Sequence, residues 1–171
     1  MVKMKIHDVV LIALLSATLT AGKLALSFLP NVHIVALLLM IYTVSLGLRR
    51  SLFVAFIFAT TEVFIYGFST WVLAYYIVWP MLVLITAAFK DRPTNEYGYA
   101  AIAGLFGLTF GFYFAVIESL FYGYAYGLLY WLRGIPFDVV HGASNYIIVL
   151  ILFKPLSTLL QQQVEYFETE P

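Results

Sequence analysis

A 171-residue chain that is 63% hydrophobic, only 11% charged and formally neutral is far from the composition of a soluble domain, and its mean hydropathy of +0.96 points to an integral membrane protein. Neutrality without a basic block argues against nucleic acid as a partner. The absence of cysteine excludes disulfides, thiolate metal sites and a cysteine nucleophile, and leaves the redox compartment open.

Cutting the chain at its charges and turn residues gives six apolar spans in one domain, 1–171: residues 8–29, 32–48, 51–68, 71–89, 97–121 and 136–155. Each matches a hydrocarbon core ~30 Å thick. Runs this continuous favour helices over barrel strands, which would alternate and be half as long. The expected fold is an all-α integral membrane protein, a six-transmembrane-helix bundle.

Span one follows a short basic start with no small-residue cleavage site, so it reads as a retained helix and not a signal peptide. Ala13, Ala17 and Ala21 recur every four residues as a smooth ridge, suited to close helix packing inside the bundle or against a partner. Lys23 lies in the far half of this span, and Asn31 and His33 flank the turn "LPN" that closes it. Span three carries Glu62 and Tyr66 near its end. Span four opens with Trp71, Tyr75 and Trp79 at i, i+4 and i+8, an aromatic stripe on one face. Span five has a second small-residue face, Ala103, Gly107 and Gly111 with Gly104 beside it, and bears Glu118 near its far end. The segment 122–135 reads as the one long connection and holds Tyr122, Tyr124, Tyr126, Tyr130, Trp131 and Arg133. Span six then places Asp138, His141 and Asn145 at i, i+3 and i+7, a polar line on one face of a greasy helix.

Orientation follows from the basic residues. Lys3, Lys5, Arg49, Arg50, Lys90, Arg92 and Lys154 fall on one side of a six-span topology, Arg133 on the other and Lys23 within span one. The positive-inside asymmetry puts both termini in the cytoplasm.

The polar and aromatic residues therefore gather at the extracytoplasmic end. Intramembrane ionisable groups cost about 2.5–3.5 kcal/mol on insertion scales unless paired or hydrated, so the Asp138/His141/Asn145 line is read as the polar wall of a pocket, opposite the Trp71/Tyr75/Trp79 stripe. Plainer roles stand beside this one. Tyr and Trp also anchor helices at interfaces, Lys23 with Glu62 or Glu118 can be a structural ion pair, and His33 can be solvated. With three histidines in all, and His7 at the opposite end, a histidine-rich metal cage cannot form, and no metal or catalytic site is expected. Ser144 near His141 and Asp138 tempts a hydrolase reading, but no nucleophile elbow accompanies it. A haem or quinone protein using His33 and His141 is a further alternative.

The Ala13/Ala17 repeat and the stretches "LPNVHIVALLLMIYTVSLG", "YGFSTWVLAYYIVWPMLVLITAAF" and "GIPFDVVHGASNYIIVLILFKPL" resemble the substrate-binding S components of energy-coupling factor vitamin importers, most of all the cobalamin-specific members. The resemblance implies a multi-pass protein of the bacterial cytoplasmic membrane, not an enzyme and without a bound cofactor. It implies docking of Ala13, Ala17 and Ala21 on a transmembrane T subunit and, through that subunit, coupling to two cytoplasmic ATPases. The transported ligand is expected to be cobalamin, held by Asp138, His141, Asn145, Glu62, Tyr66, Trp71, Tyr75, Trp79, Asn31, His33, Tyr130, Trp131 and Arg133. Pantothenate, folate and queuosine precursors are alternatives, as is metal-ion uptake.

Overall fold

The structure, a computed structural model, describes residues 6–90 and 95–169, with side chains as far as Glu165. Lys3, Lys5 and Arg92, used above for orientation, lie outside the described residues. Every regular element among the described residues is a helix: α1 (Ile6–Ala25), α2 (Val35–Leu46), α3 (Leu48–Tyr66), α4 (Thr70–Lys90), α5 (Glu96–Leu108), α6 (Phe110–Tyr122) and α7 (Tyr124–Thr169).

The bundle is built around α2. Its sequence, VALLLMIYTVSL, is apolar on every side, so it has no face to give to a polar surrounding. Nine of its twelve residues are buried, and it packs against α1, α3, α4, α5 and α7. Three glycines end helices in the left-handed region: Gly47 (φ 85°), Gly67 (φ 82°) and Gly123 (φ 88°). Any L side chain would cost about 1–2 kcal/mol in that region, so these positions stop a helix cheaply only as glycine. Gly47 and Gly67 thus end helices at the expected breaks between spans two and three and between spans three and four.

Helix direction alternates through the bundle. Arg50 pairs with Asp8 at 2.8 Å, and Lys154 approaches Glu96 at 3.9 Å, which brings the start of α1, the α2–α3 joint, the start of α5 and the far part of α7 to one end, here called basal. The turns at 26–34, 67–69 and Gly123 form the opposite, apical end.

The last part of the chain differs from the expected spans. Span five is two helices separated at the single turn residue Thr109, and 122–135 is no loop: from Tyr124 on it is the first quarter of α7, a 46-residue helix about 70 Å long. From Gly123 it runs back antiparallel along α6 and α5, with Phe112 against Trp131, Gly111 against Asp138, Gly107 against Gly142 and Tyr99 against Phe153. Glycine makes this closeness feasible: a Cβ on Gly107 would stand 2.8 Å from the Gly142 backbone. The second small-residue face is therefore consumed inside the hairpin. The first is not, for Ala13, Ala17 and Ala21 are all exposed.

Among the described residues, four helical stretches are long and apolar enough to cross a membrane: Ile6–Ala25, Thr70–Lys90, Glu96–Tyr122 (α5 and α6 taken together) and Tyr124–Glu165. Val35–Leu46 is a shorter apolar helix, and α3 carries Arg49, Arg50 and Glu62 in its 19 residues. Large apolar side chains such as Phe64, Leu120 and Ile151 lie exposed, which is compatible with a membrane protein and costly in water.

Candidate functional site: an apical cavity over a buried polar cluster

A cavity of about 460 Å³ opens at the apical end between the 26–34 turn, α4, the start of α6 and the first part of α7. Asn31, Tyr75, Phe110, Tyr130, Arg133 and Asp138 are among its walls. Asp138 is buried, and its Oδ1 accepts the Gly111 backbone N–H at 2.9 Å while Oδ2 has no partner. The contact demands glycine, because a Cβ at position 111 would lie 2.5 Å from Oδ2. The site thus combines a half-satisfied carboxylate, phenol and phenyl faces, and an exposed guanidinium at Arg133. Such a set suits an amphipathic molecule with hydrogen-bond donors and a flat apolar surface.

His141 and Asn145 do not line this cavity; they lie deeper. The His141 ring is held between His33 (centroids 4.7 Å) and Phe110 (4.5 Å), with His33 also edge-on to Trp79 at 5.8 Å. His33 Nδ1, Trp79 Nε1, His141 Nε2 and Asn145 Nδ2 are all buried without a hydrogen-bond partner. Asn31, in the left-handed conformation (φ 57°), accepts a bond from Ser144 Oγ at 3.0 Å, which ties the turn to α7 above this cluster. The same hydroxyl reaches the His141 carbonyl at 3.1 Å, so it is committed to backbone acceptors and not to the imidazole. No group of three or more His, Asp or Glu able to hold a metal ion occurs among the described residues.

The aromatic stripe of α4 is divided between two tasks. Trp79 joins the polar cluster and Tyr75 lines the cavity, but Trp71 turns to Lys23. The Lys23 ammonium pairs with the fully buried Glu62 and sits over the rings of Tyr66 (4.5 Å), Tyr75 (5.4 Å) and Trp71 (6.0 Å). Glu62, Tyr66 and Trp71 therefore belong to a cage around Lys23, which ties α1 to α3 and α4, and do not face Asp138. Trp131 is a second departure: it packs on Phe112 and faces a separate apolar groove, because on a helix it points about 100° away from Tyr130.

Phe110, Gly111, Phe114 and Tyr126 were missed as site residues, although all line the cavity. A signal existed in Tyr126, Tyr130, Arg133 and Phe137, which recur at helical spacing through the supposed connection. Glu118 accepts a 2.6 Å bond from the Thr70 hydroxyl, a pairing 48 residues apart that spacing alone does not show.

No family model matches the chain. Comparison with curated proteins and with solved structures likewise returns no match.

Proposed function

We propose that this chain is the substrate-binding membrane subunit of an energy-coupling factor importer, capturing a vitamin in the apical cavity. The observation that carries the reading is that cavity: a buried carboxylate with one free oxygen, walled by aromatics and gated by the Asn31 turn and the tip of the α6–α7 hairpin. In this reading the basal end, with Arg49, Arg50, Lys90 and Lys154, faces the cytoplasm, and the cavity opens outside in a bacterial cytoplasmic membrane. The sequence contains no G-x-x-x-x-G-K-[ST] loop, so ATP hydrolysis falls to two partner ATPases, reached through a T subunit. The exposed Ala13/Ala17/Ala21 ridge supports this partner role, since internal packing does not use it.

Cavity size bears on the ligand. At 460 Å³ it sits in the lower half of the ~300–1,000 Å³ range of sites that enclose drug-sized molecules. A corrinoid exceeds such molecules, so cobalamin requires the hairpin tip to move away from the Asn31 turn, whereas pantothenate or a queuosine precursor asks for less opening. Delivery by tilting of the whole subunit is consistent with its thin polar ends.

The test separates binding from partnership. Ala17→Trp should abolish uptake by the assembled complex while the isolated subunit binds its vitamin as wild type does. Unchanged uptake would remove the ridge from the interface, and wild-type protein that binds none of cobalamin, folate, pantothenate or queuine would remove the transport reading itself.

A further inference from the structure

The polar cluster expected in the pocket wall lies below the observed cavity instead, and packing does not account for it. Trp79, His141 and Asn145 are 1%, 2% and 1% exposed, yet each keeps a ring or amide nitrogen unpartnered, as does His33. Native interiors satisfy nine buried polar groups in ten, and orphans on three rings in contact, with a fourth at Asn145 one helical turn from His141, are a concentration that folding alone disfavours. The cluster adjoins the cavity through Tyr75, which lies 5.4 Å from Trp79, and through Phe110. Phe110 lines the cavity and also touches His141 (4.5 Å) and Trp79 (5.4 Å), and it is the first residue after the Thr109 turn, where the α5–α6 helix is interrupted.

The chemistry of the free atoms is specific. The indole Nε1 of Trp79 can only donate, and the Asn145 Nδ2 is also a donor. Asp138 Oδ2, one helical turn from His141, can accept. An imidazole in its neutral form can supply either role, so His33 and His141 complete the set. A carboxylate on the ligand would meet the Asp138 charge, so a neutral group with a donor and an acceptor side by side matches better. Resting on the reading of the chain as a ligand-binding subunit, we infer that His33, Trp79, His141 and Asn145 form a deep subsite that receives an amide or lactam head of the ligand once the Phe110 ring swings aside. The carbonyl takes the Trp79 and Asn145 donors and the N–H meets Asp138 Oδ2.

The indole N–H reports this directly. Indole-15N-labelled wild-type protein gives a resonance for each of its three tryptophans, and Trp79→Phe identifies the one that matters. Cobalamin, folate, pantothenate and queuine, which all carry an amide or lactam, are titrated in turn. The probe that binds should move the Trp79 N–H resonance downfield, and Asn145→Leu should weaken its binding about tenfold to a hundredfold. Asn145→Asp, an acceptor in place of a donor, should not restore it. A bound probe that leaves the Trp79 resonance in place, or that binds Asn145→Leu within about twofold of wild type, overturns the subsite and leaves the transport reading standing. If none of the four binds wild type, the transport reading fails and the subsite with it. The wild-type spectrum decides the matter even if the Asn145 variants do not fold.

Discussion

Replacing Gly107 by alanine tests how the hairpin holds the site. The new Cβ would meet Gly142 Cα, Gly142 N and the His141 carbonyl oxygen at 2.8 Å each. Carbon contacts prefer ~3.5–4.0 Å, and all three neighbours are backbone, so α5 and α7 must separate by about 1 Å. Overpacking of this kind costs about 1–3 kcal/mol. The same displacement stretches the 2.9 Å bond from Gly111 N–H to Asp138 four residues further along the seam, and a bond to a charged group contributes about 1.5–3 kcal/mol. A total loss of about 3–5 kcal/mol is expected, read by SDS-induced or thermal unfolding in detergent. Gly134→Ala is the control. A Cβ there meets nothing within 4 Å and the residue lies inside α7, so it should be neutral or stabilise by up to about 1 kcal/mol. If Gly107→Ala unfolds within about 0.5 kcal/mol of wild type, or Gly134→Ala is equally damaging, the close helix seam is wrong.

Lys23→Met and Glu62→Gln should each destabilise by about 3–5 kcal/mol, because either leaves one charge buried without its partner, while the double variant Lys23→Met with Glu62→Met should recover most of that loss in the same unfolding assay. A double-variant loss equal to the sum of the two single losses would show that the pair is not coupled. For orientation, cysteines placed at the exposed Tyr97 and Tyr124 report opposite ends of the bundle. Tyr124→Cys should react with an impermeant maleimide in intact cells and Tyr97→Cys only after permeabilisation, and the reverse pattern would turn the cavity to the cytoplasm.

The helices were legible wherever composition and punctuation agreed. Apolar runs bounded by Gly47 and Gly67 gave α3 and its neighbours to within a few residues, because a left-handed glycine is a local event visible in sequence. The reading failed in 122–135, the expected long connection, which is helix from Tyr124 on. In the folded chain Gly127 instead lets α7 lie against Ser119 and Ala115 of α6, so its meaning is tertiary. The same limit divided the site. The spacing puts Asp138, His141 and Asn145 on one helix face, and all three are buried. Which aromatics meet them depends on how α4 is rotated in its packing on α2, α3 and α6. That rotation sends Trp79 to His33 and Trp71 to Lys23, and nothing local in the sequence of α4 reveals it.

The most direct measurement of the central claim is native mass spectrometry of the protein released from membranes of cells grown in vitamin-rich medium, beside Asp138→Leu prepared identically. The account predicts a non-covalent adduct of vitamin mass on the wild type, lost or strongly reduced in Asp138→Leu with the bundle still folded. A wild-type spectrum free of any such adduct after vitamin is added to the purified protein, or an adduct held equally by both proteins, would contradict it.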